Sequence, residues 1–320
     1  MDHKNDLQLS RLRSSRSIIA DGYRLYTNSF RKIFRLSWIA GLIYAVILSF
    51  QVSHSLEMIP YFMMAMQSMA SGQGLSPELI SQYQAQNSIS MGLSLLLLIS
   101  MALLVTLAYQ AFRQHRQDGV YARPAHWYTL PDMNLFGRLI LTYLFFVIIG
   151  VICCIPIIAG VFLIKQGTIG PISGGIAITF FLLLLAVLLL PFIYSVQKYL
   201  IDAKPSFSRM VGHDYLVGWR YWGRIFAVAL IVGIITTSVS FIIELPSPIL
   251  SMAYLSSQRG VAIGDPTGMP EYMSWMKYVV FILAGFIQSF VILSSFFPIY
   301  YLYGSIEASE QDRKQPNQSL

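Results

Sequence analysis

Charge and cysteine are both scarce in this chain, and each shortage excludes something. Only 12% of the 320 residues are Asp, Glu, Lys or Arg, against 55% hydrophobic. That balance suits lipid rather than water as the surrounding medium. The two cysteines, Cys153 and Cys154, are adjacent. Neighbouring cysteines rarely meet disulfide geometry, and no further thiolate is at hand for a metal. They read as small packing residues.

The signatures of intramembrane chemistry are absent as well. There is no His-Glu-x-x-His for a zinc protease and no Gly-x-x-x-x-Gly-Lys-Ser/Thr loop to cradle phosphates. All five histidines (His3, His54, His115, His126 and His213) lie outside the long apolar runs. An activated intramembrane serine therefore lacks its base. The cores of those runs contain no carboxylate of the kind that relays protons or coordinates sodium. The chain reads as non-enzymatic, with no cofactor and no metal site built from His, Cys, Asp or Glu.

What is present is a set of about six apolar runs of roughly 20 residues, enough for a helix to cross a hydrocarbon core about 30 Å thick. They fall near 33–53, 91–111, 139–164, 174–197, 225–244 and 278–303. Of the 22 basic residues, 19 fall before or just inside the start of the first run, between the second and third, between the fourth and fifth, or after the sixth. Only Lys165, Arg259 and Lys277 remain for the other side. Basic loops stay cytoplasmic, so both termini are expected inside the cell. The net charge of +7 then reflects leaflet polarity, with no call for nucleic acid. No cleavable signal peptide is visible in the polar, basic first thirty residues, and the first span is expected to serve as an uncleaved anchor.

The expected fold is an all-α polytopic membrane protein with amphipathic cytoplasmic interfacial helices before spans 1 and 5. The organisation is a basic lead-in over 1–32, a membrane domain over 33–307 and a polar, disordered tail over 308–320. Gly22 through Phe34 leads into the first span, Gly212 through Phe226 into the fifth, and Phe136-Gly-Arg-Leu-Ile140 echoes both before the third. Ile18, Gly22, Leu25, Tyr26, Phe30 and Ile33 share one helical face in the first lead-in. Phe207, Val211, Tyr215, Trp219, Trp222 and Phe226 share one in the second. Such helices lie in the interface with cations toward anionic head groups. Candidate head-group residues are Arg24, Arg31, Lys32, Arg35, Arg220 and Arg224, with Trp219 and Trp222 setting depth. Tyr221, Trp38, Trp127, Tyr300, Tyr301 and Tyr303 also suit head-group depth. Simple anchoring is the commoner role for residues of this kind.

Within the spans, Pro156, Pro191 and Pro298 each remove a backbone donor, so kinks are expected and neighbours must satisfy the freed carbonyls. Gly41 with Ala45, and Gly285 with Ser289, place small residues four apart for close helix contact. Thr236, Thr237, Ser240 and Gln288 either bond across helices or line the polar cavity of a small-molecule permease. Nine of the 14 methionines (Met58, Met63, Met64, Met66, Met69, Met252, Met269, Met273 and Met276) fall in the two outer connections. Thioethers are soft copper(I) ligands, which His54 could join. An apolar helix packed on the outer surface explains the same pattern more simply.

Lys204-Pro-Ser-Phe-Ser-Arg209, followed by Gly212 through Phe226, and the closing Pro298-Ile-Tyr-Tyr-Leu-Tyr-Gly-Ser-Ile-Glu307 carry a resemblance. The chain resembles a broad group of uncharacterised six-span bacterial membrane proteins, which includes the membrane domain preceding some glycerophosphodiester phosphodiesterases. The soluble phosphodiesterase domain has no counterpart here, so no catalytic residue carries over. The resemblance implies a bacterial inner-membrane protein serving envelope maintenance or lipid handling. Its expected partners are anionic phospholipids of the cytoplasmic leaflet, and a protein partner or second copy of the chain.

Overall fold

The computed structural model describes Leu9 and residues 11–70, 76–118, 131–202, 206–262 and 270–314. These are 92% helical with no strands. Six helices are long and apolar enough to cross a membrane, so the chain is a multi-pass helical membrane protein. In order they are α1 (Ser15–Ala70), α2 (Pro77–Asp118), α3 (Met133–Lys165), α4 (Pro171–Leu189), α5 (Phe192–Ile201), α6 (Phe207–Val211), α7 (His213–Arg220), α8 (Trp222–Glu244), α9 (Pro246–Ala262) and α10 (Glu271–Lys314). Trp127, His3, His126, Lys204 and Met269 lie outside the described residues.

Helix lengths show how the molecule divides. At 1.5 Å per residue the 56 residues of α1 span roughly 84 Å and the 44 of α10 roughly 66 Å. Each is at least twice the hydrocarbon thickness of about 30 Å, so much of both must lie beyond it. The end carrying the clustered Lys and Arg (the basic end) supplies the missing burial. Ile18, Leu25, Phe112, Tyr194, Leu200, Met210, Phe297, Tyr300, Tyr301, Tyr303 and Ile306 form one buried core there. By contrast, the most apolar stretch of α3 contains no buried residue. Its Val151, Ile155 and Ile158 are more than half exposed, as are Ile176, Phe180 and Leu183 of α4.

Two expectations change accordingly. The first lead-in does not lie flat before the span; it continues into it as one unbroken helix, and its apolar stripe packs on protein. Ile18, Leu25 and Ile33 are buried, and a Cβ at Gly22 would stand 2.5 Å from the Pro298 backbone. Likewise Tyr300, Tyr301 and Tyr303 are core residues, each 1% exposed or less, rather than head-group anchors. Gly22 lets α10 approach closely enough for that core to form.

The small-residue pairs behave as expected, and they meet each other. A Cβ at Gly41 would lie 2.8 Å from Ser289 Oγ, and one at Gly285 would lie 3.3 Å from Ala45 Cα. The first part of the tail expected to be disordered, residues 308–314, is helical instead, since α10 runs through Lys314; residues 315–320 lie outside the described residues. Glu310 of α10 accepts from Arg220 and Tyr221, which ties the last turns down.

Pro191 separates α4 from α5, and the freed carbonyls find donors in the second lead-in. The Trp222 indole N–H donates to Val187 O at 3.3 Å, and the Tyr215 hydroxyl to Leu188 O at 3.0 Å. Gly218 fits against the same break, since a Cβ there would meet Pro191 O at 2.6 Å. Replacing Trp222 with Phe keeps the ring and removes the donor. We expect a loss of about 1–3 kcal/mol, the cost of an orphaned carbonyl, read as a lower thermal midpoint in detergent. No change in that midpoint would mean that water or lipid satisfies Val187.

Candidate functional site

The basic end pairs its cations with acids that approach from distant parts of the chain. Lys198, at the end of α5, has its ammonium 2.7 Å from Glu307 and 3.6 Å from Asp214, with the Tyr194 hydroxyl at 3.2 Å. Asp214 also faces Arg209 at 3.4 Å and His213 at 3.3 Å. Asp202, just past α5, accepts from Arg116 at 2.7 Å and from the Tyr303 hydroxyl at 3.2 Å. Asp132 caps the first turn of α3 and meets Arg113 at 3.2 Å. Arg13 reaches Asp21 at 3.0 Å and lies 4.7 Å above the Tyr301 ring. Burial and then the adjoining Glu310 carboxylate push the Tyr221 phenol above its usual range, so it remains a donor to that acid.

This network divides the expected head-group residues. Arg220 pairs with Glu310 at 2.8 Å, though its side chain stays half-exposed. Arg224 turns inward, 3.3 Å from Ser309 Oγ. Trp222 caps the Pro191 break, stacked on Phe226, while Trp219 is 44% exposed beside Tyr215. Arg24, Arg31, Lys32 and Arg35 are all exposed on α1. Among the described residues no ion pair engages Arg24, Arg31 or Arg35.

Arg31 and Arg35 stand one helical turn apart and line a groove of about 460 Å³ with Phe30, Phe34 and Trp38. Phe30 and Phe34 are buttressed from behind by Phe290 and Phe286 of α10. Two guanidiniums beside three aromatic rings offer an anion a bidentate clamp and an acyl chain an apolar bed. All five residues stand on α1 at helical spacing, so their common face was legible in the sequence; the α10 rings behind it were not.

The polar residues of α8 and α10 are arranged differently. The Gln288 amide donates to Ser240 Oγ at 2.7 Å, a direct helix-to-helix bond. Thr236 is half-buried, its hydroxyl without a hydrogen-bond partner, and Thr237 is exposed on the helix surface. Toward the opposite end, His54 Nε2 lies 3.0 Å from Gln86 O. Met63, Met64 and Met252 are exposed. The side chains of Met66 and Met69 are outside the described set. Among the described residues no group of three or more His, Cys, Asp or Glu is placed to hold a metal.

Comparison of the chain with family models, curated proteins and solved structures finds no match.

Proposed function

We propose that this is a non-enzymatic accessory or scaffold protein of a bacterial inner membrane, with its basic end in the cytoplasm, that engages anionic lipid through Arg31 and Arg35. The observation that carries this reading is the α1 groove. Its two exposed guanidiniums have no carboxylate partner among the described residues, and three aromatic rings flank them. Arg24 and Lys32 extend the same basic stretch. Arg220 and Arg224 serve mainly to hold the end of α10 in place. The resemblance to uncharacterised six-span bacterial membrane proteins is consistent with a role in lipid homeostasis. A permease finds less support, because Gln288 donates directly to Ser240 across the helix contact and Thr237 faces outward.

Replacing Arg31 and Arg35 together by Gln tests the reading. Each cation near an anionic surface contributes about 1 kcal/mol. The double variant should therefore retain phosphatidylglycerol on the order of 30-fold less well, measured by native mass spectrometry against phosphatidylcholine. Equal retention by the variant and the parent would reduce both residues to generic anchors.

A further inference from the structure

A second cavity lies at the Pro191 break, on a different part of the molecule from the arginine groove. Its volume is about 380 Å³, it is open to the surroundings, and it is walled by α2, α3, α4, α5 and α10. That size falls within the range of about 300–1,000 Å³ common to small-molecule sites. Phe146, Phe192, Phe296 and Ile193 make its lining overwhelmingly apolar. Two polar side chains interrupt the wall, Gln197 and Tyr109, and no charged residue lines it.

Gln197 is one of several residues with an unpaired buried polar atom, and the one that lines this cavity. It is 3% exposed, yet its carboxamide oxygen has no hydrogen-bond partner. The Tyr109 hydroxyl is the neighbouring polar group and interacts with the Gln197 side chain, which still leaves the carboxamide oxygen without a partner. A polar group buried unpaired is costly, and interiors rarely keep one without a use. Filling this position with Leu would have avoided the cost at similar volume. A carboxamide both donates and accepts, as does a phenol, so together they suit one neutral polar group. The absence of any lining cation or carboxylate makes a charged head group a poor fit. The apolar remainder suits a hydrocarbon or isoprenoid chain entering from the membrane.

We infer that this cavity binds an uncharged single-chain lipid, with Gln197 and Tyr109 hydrogen-bonding its one hydroxyl or carbonyl group. The inference does not rest on the arginine groove. The test uses the full-length protein in mild detergent and a diazirine-bearing hexadecan-1-ol, with crosslinks mapped by mass spectrometry. Labelling is expected at residues of the cavity wall and should be competed by hexadecan-1-ol at least tenfold better than by hexadecanoate. Gln197→Leu should reduce competition by the alcohol about tenfold, roughly the worth of one buried hydrogen bond, and leave competition by hexadecane unchanged. Ala186→Trp fills the cavity from the exposed face of α4 and should abolish labelling while Gln197 stays in place. The Arg31/Arg35 double variant should label like the parent. Labelling away from the cavity, equal competition by hexadecanoate, or unchanged labelling in Ala186→Trp would each overturn the inference. If the Arg31/Arg35 double variant alone lost labelling, the lipid would belong to the groove on α1.

Discussion

Lys198→Met should lower the stability of the protein by about 3–5 kcal/mol, the cost of breaking a buried ion pair from one side. Methionine preserves most of the side-chain volume and removes the charge. Glu307 and Asp214 are then left facing each other without the ammonium that stands 2.7 Å and 3.6 Å from them. Asp214 is the more exposed to this loss in energetic terms, because its side chain is only 6% accessible and water cannot take the place of Lys198. Arg209, itself 54% accessible, is too well solvated to compensate fully. Unfolding of the purified protein in detergent, followed by circular dichroism, reads the effect. Adding Glu307→Gln to Lys198→Met should recover part of the loss, since the two residues are coupled. Arg116→Met is the comparison: that side chain is 41% accessible, and its loss should cost about 1 kcal/mol or less. Equal effects at Lys198 and Arg116 would show that the basic end is open to water rather than a core.

The contrast between those two cations marks what could and could not be read from the sequence. The six apolar helices were legible because hydrocarbon imposes length and excludes charge, and both constraints are local in the chain. The preference of Gly41, Ala45, Gly285 and Ser289 for close contact was legible for the same local reason. The solvent on each apolar stripe was not. Ile18, Leu25 and Ile33 have the periodicity of an interfacial helix, yet their neighbour is α10. Tyr300 and Tyr303 have the composition of a membrane belt, yet they bond His115 and Asp202. Pairings such as Lys198 with Glu307, 109 residues apart, have no signature in a single sequence. Pro191 gave notice of unpaired carbonyls, but nothing in its surroundings pointed to Trp222 as the donor. The aromatic-basic run over Gly212–Phe226 suggested lipid contact, and part of its composition is explained by closing that break.

Gly22→Ala provides the sharpest check on the α1–α10 contact, because packing and helix propensity predict opposite signs. In a helix interior alanine is favoured over glycine by about 1 kcal/mol, so with nothing nearby the substitution should stabilise. At Gly22, however, the added Cβ would sit 2.5 Å from both Cα and N of Pro298. Those are backbone atoms in a ring-constrained residue, and no change of rotamer can move them aside. The two helices would have to part, disturbing the Tyr26 hydroxyl bond to Phe290 O at 3.0 Å and the edge-on contact of Tyr26 with Phe297 at 5.1 Å. Overpacking of this kind costs about 1–3 kcal/mol, occasionally more. With a backbone-to-backbone clash the upper part of that range applies, so the variant should be less stable by roughly 2 kcal/mol after the propensity gain. Gly233→Ala isolates the propensity term, since no atom lies within 4 Å of a Cβ there. It should be neutral or stabilising by up to about 1 kcal/mol. Thermal midpoints of the two variants should therefore move in opposite directions from the parent. If both rose, α1 and α10 would not meet at Pro298. The buried tyrosines of α10 would then lose one wall of their packing, and the basic end would become a set of anchored helix ends in place of a packed layer.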